Sequence, residues 1–163
     1  MQIRQATLAD LNAITKIEQL CFTPAQAATK EAFEKRLRTY PDSFLVAEEN
    51  SEIIGFINGC VTNDKTICDE MFTDENLHNP DGDYQAVFGL AVTPQHRGKG
   101  VAQALMREFI NLTKSRGKKG LILTCEEQLI GFYRAFGYED LGVSESKHGE
   151  TVWFDMILKF TKS

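Results

Sequence analysis

The run Ala86-Val87-Phe88-Gly89-Leu90-Ala91-Val92 carries no polar side chain, and it passes through a glycine-rich loop straight into an amphipathic helix. A strand that is apolar on both alternating faces must be covered on both sides, which places it at the centre of a layered α/β arrangement. Thr93-Pro94 ends the strand. From Gly100 to about Ser115 two rows recur at helical spacing, Val101/Leu105/Phe109 and Ala102/Met106/Ile110, with Arg107, Glu108 and Asn111 between them. Arg116-Gly117 supplies the stop.

The remaining segments supply partners for this unit. Gln2 to Ala6 reads as a short strand. Thr7 and Asp10 are capping candidates for a helix with Leu11, Ile14, Ile17 and Leu20 on one face. A second helix is expected from Lys30 to Thr39. Phe44-Leu45-Val46-Ala47 and Ile53-Ile54-Gly55-Phe56-Ile57 flank a polar turn and predict an antiparallel hairpin. Thr62 to Asp83 is a long acidic loop in which Met71-Phe72 suggests a short helix that packs down. Leu121 to Thr124 reads as a buried strand, Glu127 to Phe136 as a short helix ended by Gly137, and Thr151 to Phe160 as a final strand with Val152, Phe154, Met156 and Leu158 alternating.

A chain of 163 residues with 42% hydrophobic content predicts a single domain over residues 1–163. No apolar stretch is long enough to cross a bilayer, and the N-terminus has no secretory apolar core, so a cytoplasmic protein with no membrane association is expected. Cys21, Cys60, Cys68 and Cys125 show no C-x-x-C spacing. His78, His96 and His148 pair with none of them at zinc-ligand spacing, so free thiols and no metal are expected. The net charge of −5 argues against nucleic acid as a partner and suits a cationic ligand.

The chemistry is concentrated where the central strand turns into the helix. The first amides of a helix have no intrahelical acceptor, the helix dipole adds partial positive charge, and glycines let phosphate oxygens approach the backbone. Diphosphate fits such a junction. The loop Arg97-Gly98-Lys99-Gly100 is neither a Walker A sequence nor a dinucleotide fingerprint.

Arg97-x-x-Gly100-x-Ala102 instead resembles the R/Q-x-x-G-x-G/A signature of the GNAT N-acetyltransferases. Leu90-Ala91-Val92-x-Pro94 before it, and the helix after it, are similar to that family's central strand and pyrophosphate-binding helix. The stretch from Glu126 to Tyr138, with Phe132-Tyr133 and Gly137-Tyr138, looks like the family's later segment, and the likeness spans roughly residues 2–160. Within the superfamily, Cys125-Glu126-Glu127-x-Leu129-x-x-Phe132-Tyr133 and the loop ending Asn79-Pro80-Asp81-Gly82 resemble the arylalkylamine (serotonin-type) branch. That branch carries two catalytic histidines on the central strand, and Ala86 and Phe88 stand at the matching positions here.

The resemblance implies an α/β (α+β) fold: a GNAT-type mixed, mostly antiparallel sheet of six to seven strands with about four helices on its two faces. It implies acetyl-CoA as cosubstrate, held by Leu90, Ala91, Val92, Arg97, Gly98, Lys99, Gly100, Val101, Ala102 and Tyr133. The Leu90 N–H would stabilise the developing oxyanion and the Tyr133 O–H would protonate the departing thiolate. With no histidine on the strand, the base is Glu126, Asp83 or a water chain touching them, and Glu126 is preferred; a carboxylate there also reads as a helix N-terminal charge on the dipole. Cys125 reads as a buried core thiol. The acidic 64–83 segment either draws a cationic amine toward the cleft or is a solvated loop. The expected acceptor is a small arylalkylamine- or polyamine-like primary amine. A protein N-terminus or lysine, and a non-catalytic acyl-CoA-binding module, stand as alternatives, and the family resemblance admits a homodimer.

Overall fold

The computed structural model describes residues 1–146 and 151–160; His148 lies outside the described residues. Two sheets make up the framework. The first runs in the order β1 (Gln2–Gln5), β2 (Phe44–Glu49), β3 (Glu52–Asn58) and β6 (Gly89–Val92), all antiparallel. The second runs β4 (Val61–Thr62), β5 (Tyr84–Val87), β7 (Gly120–Cys125), β9 (Phe154–Lys159) and β8 (Glu139–Val143), with β5 and β7 parallel.

The apolar run 86–92 is therefore not one strand. Phe88 and Gly89 both face Asn58: the Phe88 amide donates to the Asn58 carbonyl at 2.7 Å while Gly89 is its register partner. Two residues opposite one is a β-bulge, and the bulge bends the chain and ends the pairing with β7. The single sheet of six to seven strands expected from the sequence is accordingly divided into sheets of four and five strands. The short strands β4 and β8 add to the count and carry little hydrophobic signal of their own.

The helices are α1 (Leu11–Cys21), α2 (Lys30–Thr39), α3 (Val101–Ser115) and α4 (Ile130–Arg134). On one side α3 lays Val101, Leu105, Met106 and Phe109 across both sheets, against Ile54, Val92, Leu121 and Leu123. On the other side α1 and α2 cover the first sheet through Ile14, Ile17, Phe33 and Leu37 packed on Phe44, Val46, Phe56 and Ala91. The second sheet is covered there by the acidic loop, whose 3-10 turn Asp69–Phe72 buries Met71 beside Tyr84, Ala86 and Ile122. Alternation sorts the central run between these cores: Val87 and Val92 face α3, Ala86 and Ala91 the other side.

Three local expectations are corrected. Leu20 is 53% exposed, and the buried stripe of α1 continues through Glu18 instead. The helix expected over 127–136 is a 3-10 turn, Glu127–Leu129, followed by the short α4. The last strand begins at Phe154, because Val152 is exposed and 151–153 make no ladder.

Candidate active site

The loop after β6 holds its shape through two left-handed glycines, Gly98 at φ +76° and Gly100 at φ +84°. An L side chain rarely adopts that backbone conformation, and at both positions a Cβ would meet nothing within 4 Å. Gly100 is the N-cap of α3 and caps it with no side chain, so the amides of Val101, Ala102 and Gln103 point out of the helix unsatisfied. Arg97, Gly98, Lys99 and Gly100 are exposed in front of them. Arg97 is tied back by its Nε–H to the Val92 carbonyl at 3.3 Å and by a second guanidinium nitrogen to Cys21 Sγ at 3.3 Å. The surface of this junction is thus uncapped amides and one end of a 15-residue helix dipole, which suits a diphosphate.

Next to the loop lies the free edge of β6. The Thr93 amide donates to the Ile54 carbonyl at 2.8 Å, so the Thr93, Ala91 and Gly89 backbone groups face β3. Alternation turns the Leu90 and Val92 amides the other way, where no strand pairs with them among the described residues. The neighbouring ladder between β5 and β7 stops at Val87 and Leu123, although β7 runs on to Cys125. β6 and β7 diverge into a wedge.

A small cavity of about 90 Å³ occupies the wedge, and its walls include Gly89, Leu90, Cys125, Glu126 and Tyr133. Tyr133 is 8% exposed and lies edge-on to Phe132 and Tyr138 at 5.1 and 5.7 Å. Burial pushes its phenol well above the ordinary value of 10, so the hydroxyl stays protonated at physiological pH. Cys125 is buried too, and its thiol is pushed up to about 11 by desolvation, which leaves it neutral and unreactive.

The structure does not bring Asp83 to this place. Its carboxylate pairs with Lys119 Nζ at 3.4 Å and its carbonyl accepts the Lys119 amide at 2.7 Å, at the start of β5. Leu90 is at the other end of that chain segment, about 20 Å away at the rise of an extended strand. Of the two carboxylates named from the sequence, Glu126 alone borders the wedge.

A second cavity of about 120 Å³ adjoins the first across Gln26, Phe88 and Gly89, which border both. It lies between α1, α2 and the bulge, and Glu18, Arg36, Asn58 and Phe72 are among its walls. Sequence reasoning missed these residues because charged side chains on amphipathic helices are normally solvated. The signal that marks them is position: Glu18 follows Leu11 and Ile14 at seven and four residues on the apolar stripe, and Arg36 follows Phe33 at three.

Comparison with known proteins agrees with this architecture. The family model described as Acetyltransferase (GNAT) family matches residues 11–138, and the chain belongs to that family. It is 29% identical over 143 residues to an acetyltransferase of Pectobacterium atrosepticum, covering 85% of this chain and 88% of the relative. It is 25% identical to the serotonin N-acetyltransferase of Mesocricetus auratus, covering 86% and 69%. Against human N-acetyltransferase 8B the identity is 27%, over 62% of this chain, which spans 40% of that protein's length. Among solved structures, the GphF GNAT-like decarboxylase in complex with isobutyryl-CoA superimposes with a TM-score of 0.85 at 18% identity, covering 98% of this chain and 99% of that one. The ribosomal-protein-S18-alanine N-acetyltransferase of Escherichia coli gives 0.75 at 19%, covering 99% and 95%. The protein is a GNAT acetyltransferase, and among its described residues no helix is long and apolar enough to cross a membrane.

Proposed function

We propose that the protein, acting as one domain, transfers an acetyl group from acetyl-CoA directly to a small primary amine. The observation that carries this reading is the wedge: an unpaired strand edge leads from an uncapped helix N-terminus to a cavity bordered by a protonated tyrosine. Uncapped amides at 101–103 and the left-handed glycines fit a diphosphate, and the free Leu90 and Val92 amides fit an extended amide-bearing arm. Acetyl-CoA supplies the acetyl thioester.

The residues around the wedge divide the remaining work. The Leu90 N–H donates to the carbonyl oxygen as negative charge builds on it. The Tyr133 O–H borders the wedge and gives its proton to the leaving sulfur. Glu126 takes the proton that the amine must lose. Cys125 is buried and neutral, so direct attack by the amine is favoured over an acyl-enzyme.

The acceptor approaches from the opposite face, through the cavity beside α1 and α2. Its aromatic walls, Phe33, Phe72 and Phe88, suit an amine with an apolar body, in keeping with the weak likeness to a serotonin N-acetyltransferase. Phe88 and Ala86 stand where the serotonin-type branch places histidines, so proton removal follows another route here. Calorimetry with coenzyme A, followed by thiol release across an amine panel, tests the reading. Heat of binding and turnover support it, and the absence of any coenzyme A binding overturns it.

A further inference from the structure

Four buried side-chain polar atoms have no hydrogen-bond partner among the described residues: Glu18 Oε1, Arg36 Nε, Asn58 Nδ2 and Asp155 Oδ1. Three of the four belong to side chains that border the one cavity between α1, α2 and the bulge. Glu18 is 6% exposed, Arg36 4% and Asn58 not at all. Buried donors and acceptors without partners are costly, and native proteins keep few of them. The three atoms are themselves closed to a water molecule as the walls stand, so a ligand that supplies the missing partners parts those walls slightly, and three such atoms around a single cavity mark the place for one.

Their remaining contacts hold them in place. Arg36 donates to Asn58 Oδ1 and to the Phe72 carbonyl, both at 2.9 Å, and its guanidinium lies between the rings of Phe33 and Phe88 at 5.3 and 4.9 Å. Glu18 Oε2 accepts the Ala28 amide at 2.8 Å. One oxygen and two donor nitrogens are left over, on a carboxylate, a guanidinium and a neutral amide. The complement is a molecule with an N–H-bearing cation and, beside it, an anion that accepts two hydrogen bonds.

We propose that this pocket takes a free amino acid as acetyl acceptor, its carboxylate against Arg36 Nε–H and Asn58 Nδ2–H and its amine against Glu18 Oε1. A zwitterion leaves the pocket electrically balanced, since Glu18 and Arg36 already offset one another. The aromatic walls receive an apolar side chain. Glu18, Arg36 and Asn58 act as positioning residues here, and the assignment of the amine as acceptor rests on the transferase reading above.

The test uses the full chain and two matched pairs, L-phenylalanine with phenethylamine and L-leucine with 3-methylbutylamine. Binding is measured first by calorimetry without coenzyme A, so that the pocket is judged independently of cofactor binding. The amino acids are expected to bind at least about 100-fold more tightly than the decarboxylated amines, because a site with buried donors rejects a ligand that leaves them unpaired. With acetyl-CoA, kcat/KM follows the same order. Glu18→Gln raises KM for the amino acids roughly tenfold or more with kcat and coenzyme A affinity little changed, and Arg36→Lys, which keeps charge but loses the Nε–H together with the guanidinium fork that holds Asn58 and the Phe72 carbonyl, raises KM at least as much. Equal binding of amino acids and their decarboxylated counterparts overturns the proposal. So does preference for a peptide N-terminus or an amino-acid methyl ester over the free acid, or closure of Glu18 and Arg36 into a direct ion pair that binds neither class.

Discussion

The guanidinium of Arg36 lies 4.9 Å from the ring centre of Phe88, the residue at which the central strand bulges and the two sheets part. The same ring packs on Phe72 at 4.9 Å, so one side chain joins α2, the acidic loop and the bulge. Replacing Phe88 with Leu removes the face on which the buried cation rests. A loss of about 1–2 kcal/mol in unfolding free energy is expected, read by urea denaturation, because a desolvated cation–π contact and part of an aromatic pair go together. An unchanged midpoint would mean that Phe33 alone carries Arg36.

Tyr133→Phe isolates one hydroxyl. The ring contacts with Phe132 and Tyr138 remain, so the fold and coenzyme A affinity should hold within about twofold while kcat falls roughly 100-fold. Because burial raises the phenol above 10, the wild-type rate has no alkaline limb from Tyr133 below that value. Steady-state kinetics from pH 6 to 10 on both proteins checks both statements.

Gly100→Ala tests the cradle. At φ +84° an alanine is strained by about 1–2 kcal/mol, and its Cβ meets no protein atom, so the change costs stability through the backbone alone. Coenzyme A affinity is expected to fall on the order of tenfold, since strain at the N-cap disturbs the turn that leaves the first amides of α3 uncapped. Thermal unfolding and calorimetry separate the two effects.

Glu18 predicts a pH dependence with a definite sign. Burial raises its carboxyl above the ordinary 4.5, against smaller opposing effects from the Ala28 amide and the Arg36 charge. A group raised in the folded state contributes stability that is whole below the unfolded value and is lost as pH rises through the folded one. Glu18→Gln never ionises and keeps an oxygen for the Ala28 N–H, so it should melt a few degrees higher than wild type at pH 7.5, with the gap closing toward pH 4.5. A lower midpoint at pH 7.5 would show that Arg36 outweighs desolvation.

The elements legible in the sequence are those whose burial is one-sided or complete. α3 announces itself by two apolar rows and a glycine on either flank, and the hairpin β2–β3 by two apolar runs around a polar turn. The bulge at Phe88-Gly89 was marked only by its glycine, because hydrophobicity reports burial and not pairing, and both halves of the run are buried whichever sheet they join. Tyr133, Leu90 and Glu126 were readable as neighbours of the wedge through the family likeness. Asp83 stands seven residues before Leu90 on a segment readable as extended, so its distance from the wedge was within reach of the sequence, and the parallel pairing of β5 with β7 adds the partner Lys119. Glu18, Arg36 and Asn58 were hidden because their burial depends on three segments meeting.

The parity of β6 means that neighbouring residues on one short strand live under different rules. Ala91 and Thr93 have their amide hydrogens locked into β3, while Leu90 and Val92 hold theirs out over the gap. Deuterium should therefore enter this strand at every other position, and protection of the two open amides by an added molecule would record, atom by atom, when a foreign backbone has taken the place of the missing strand.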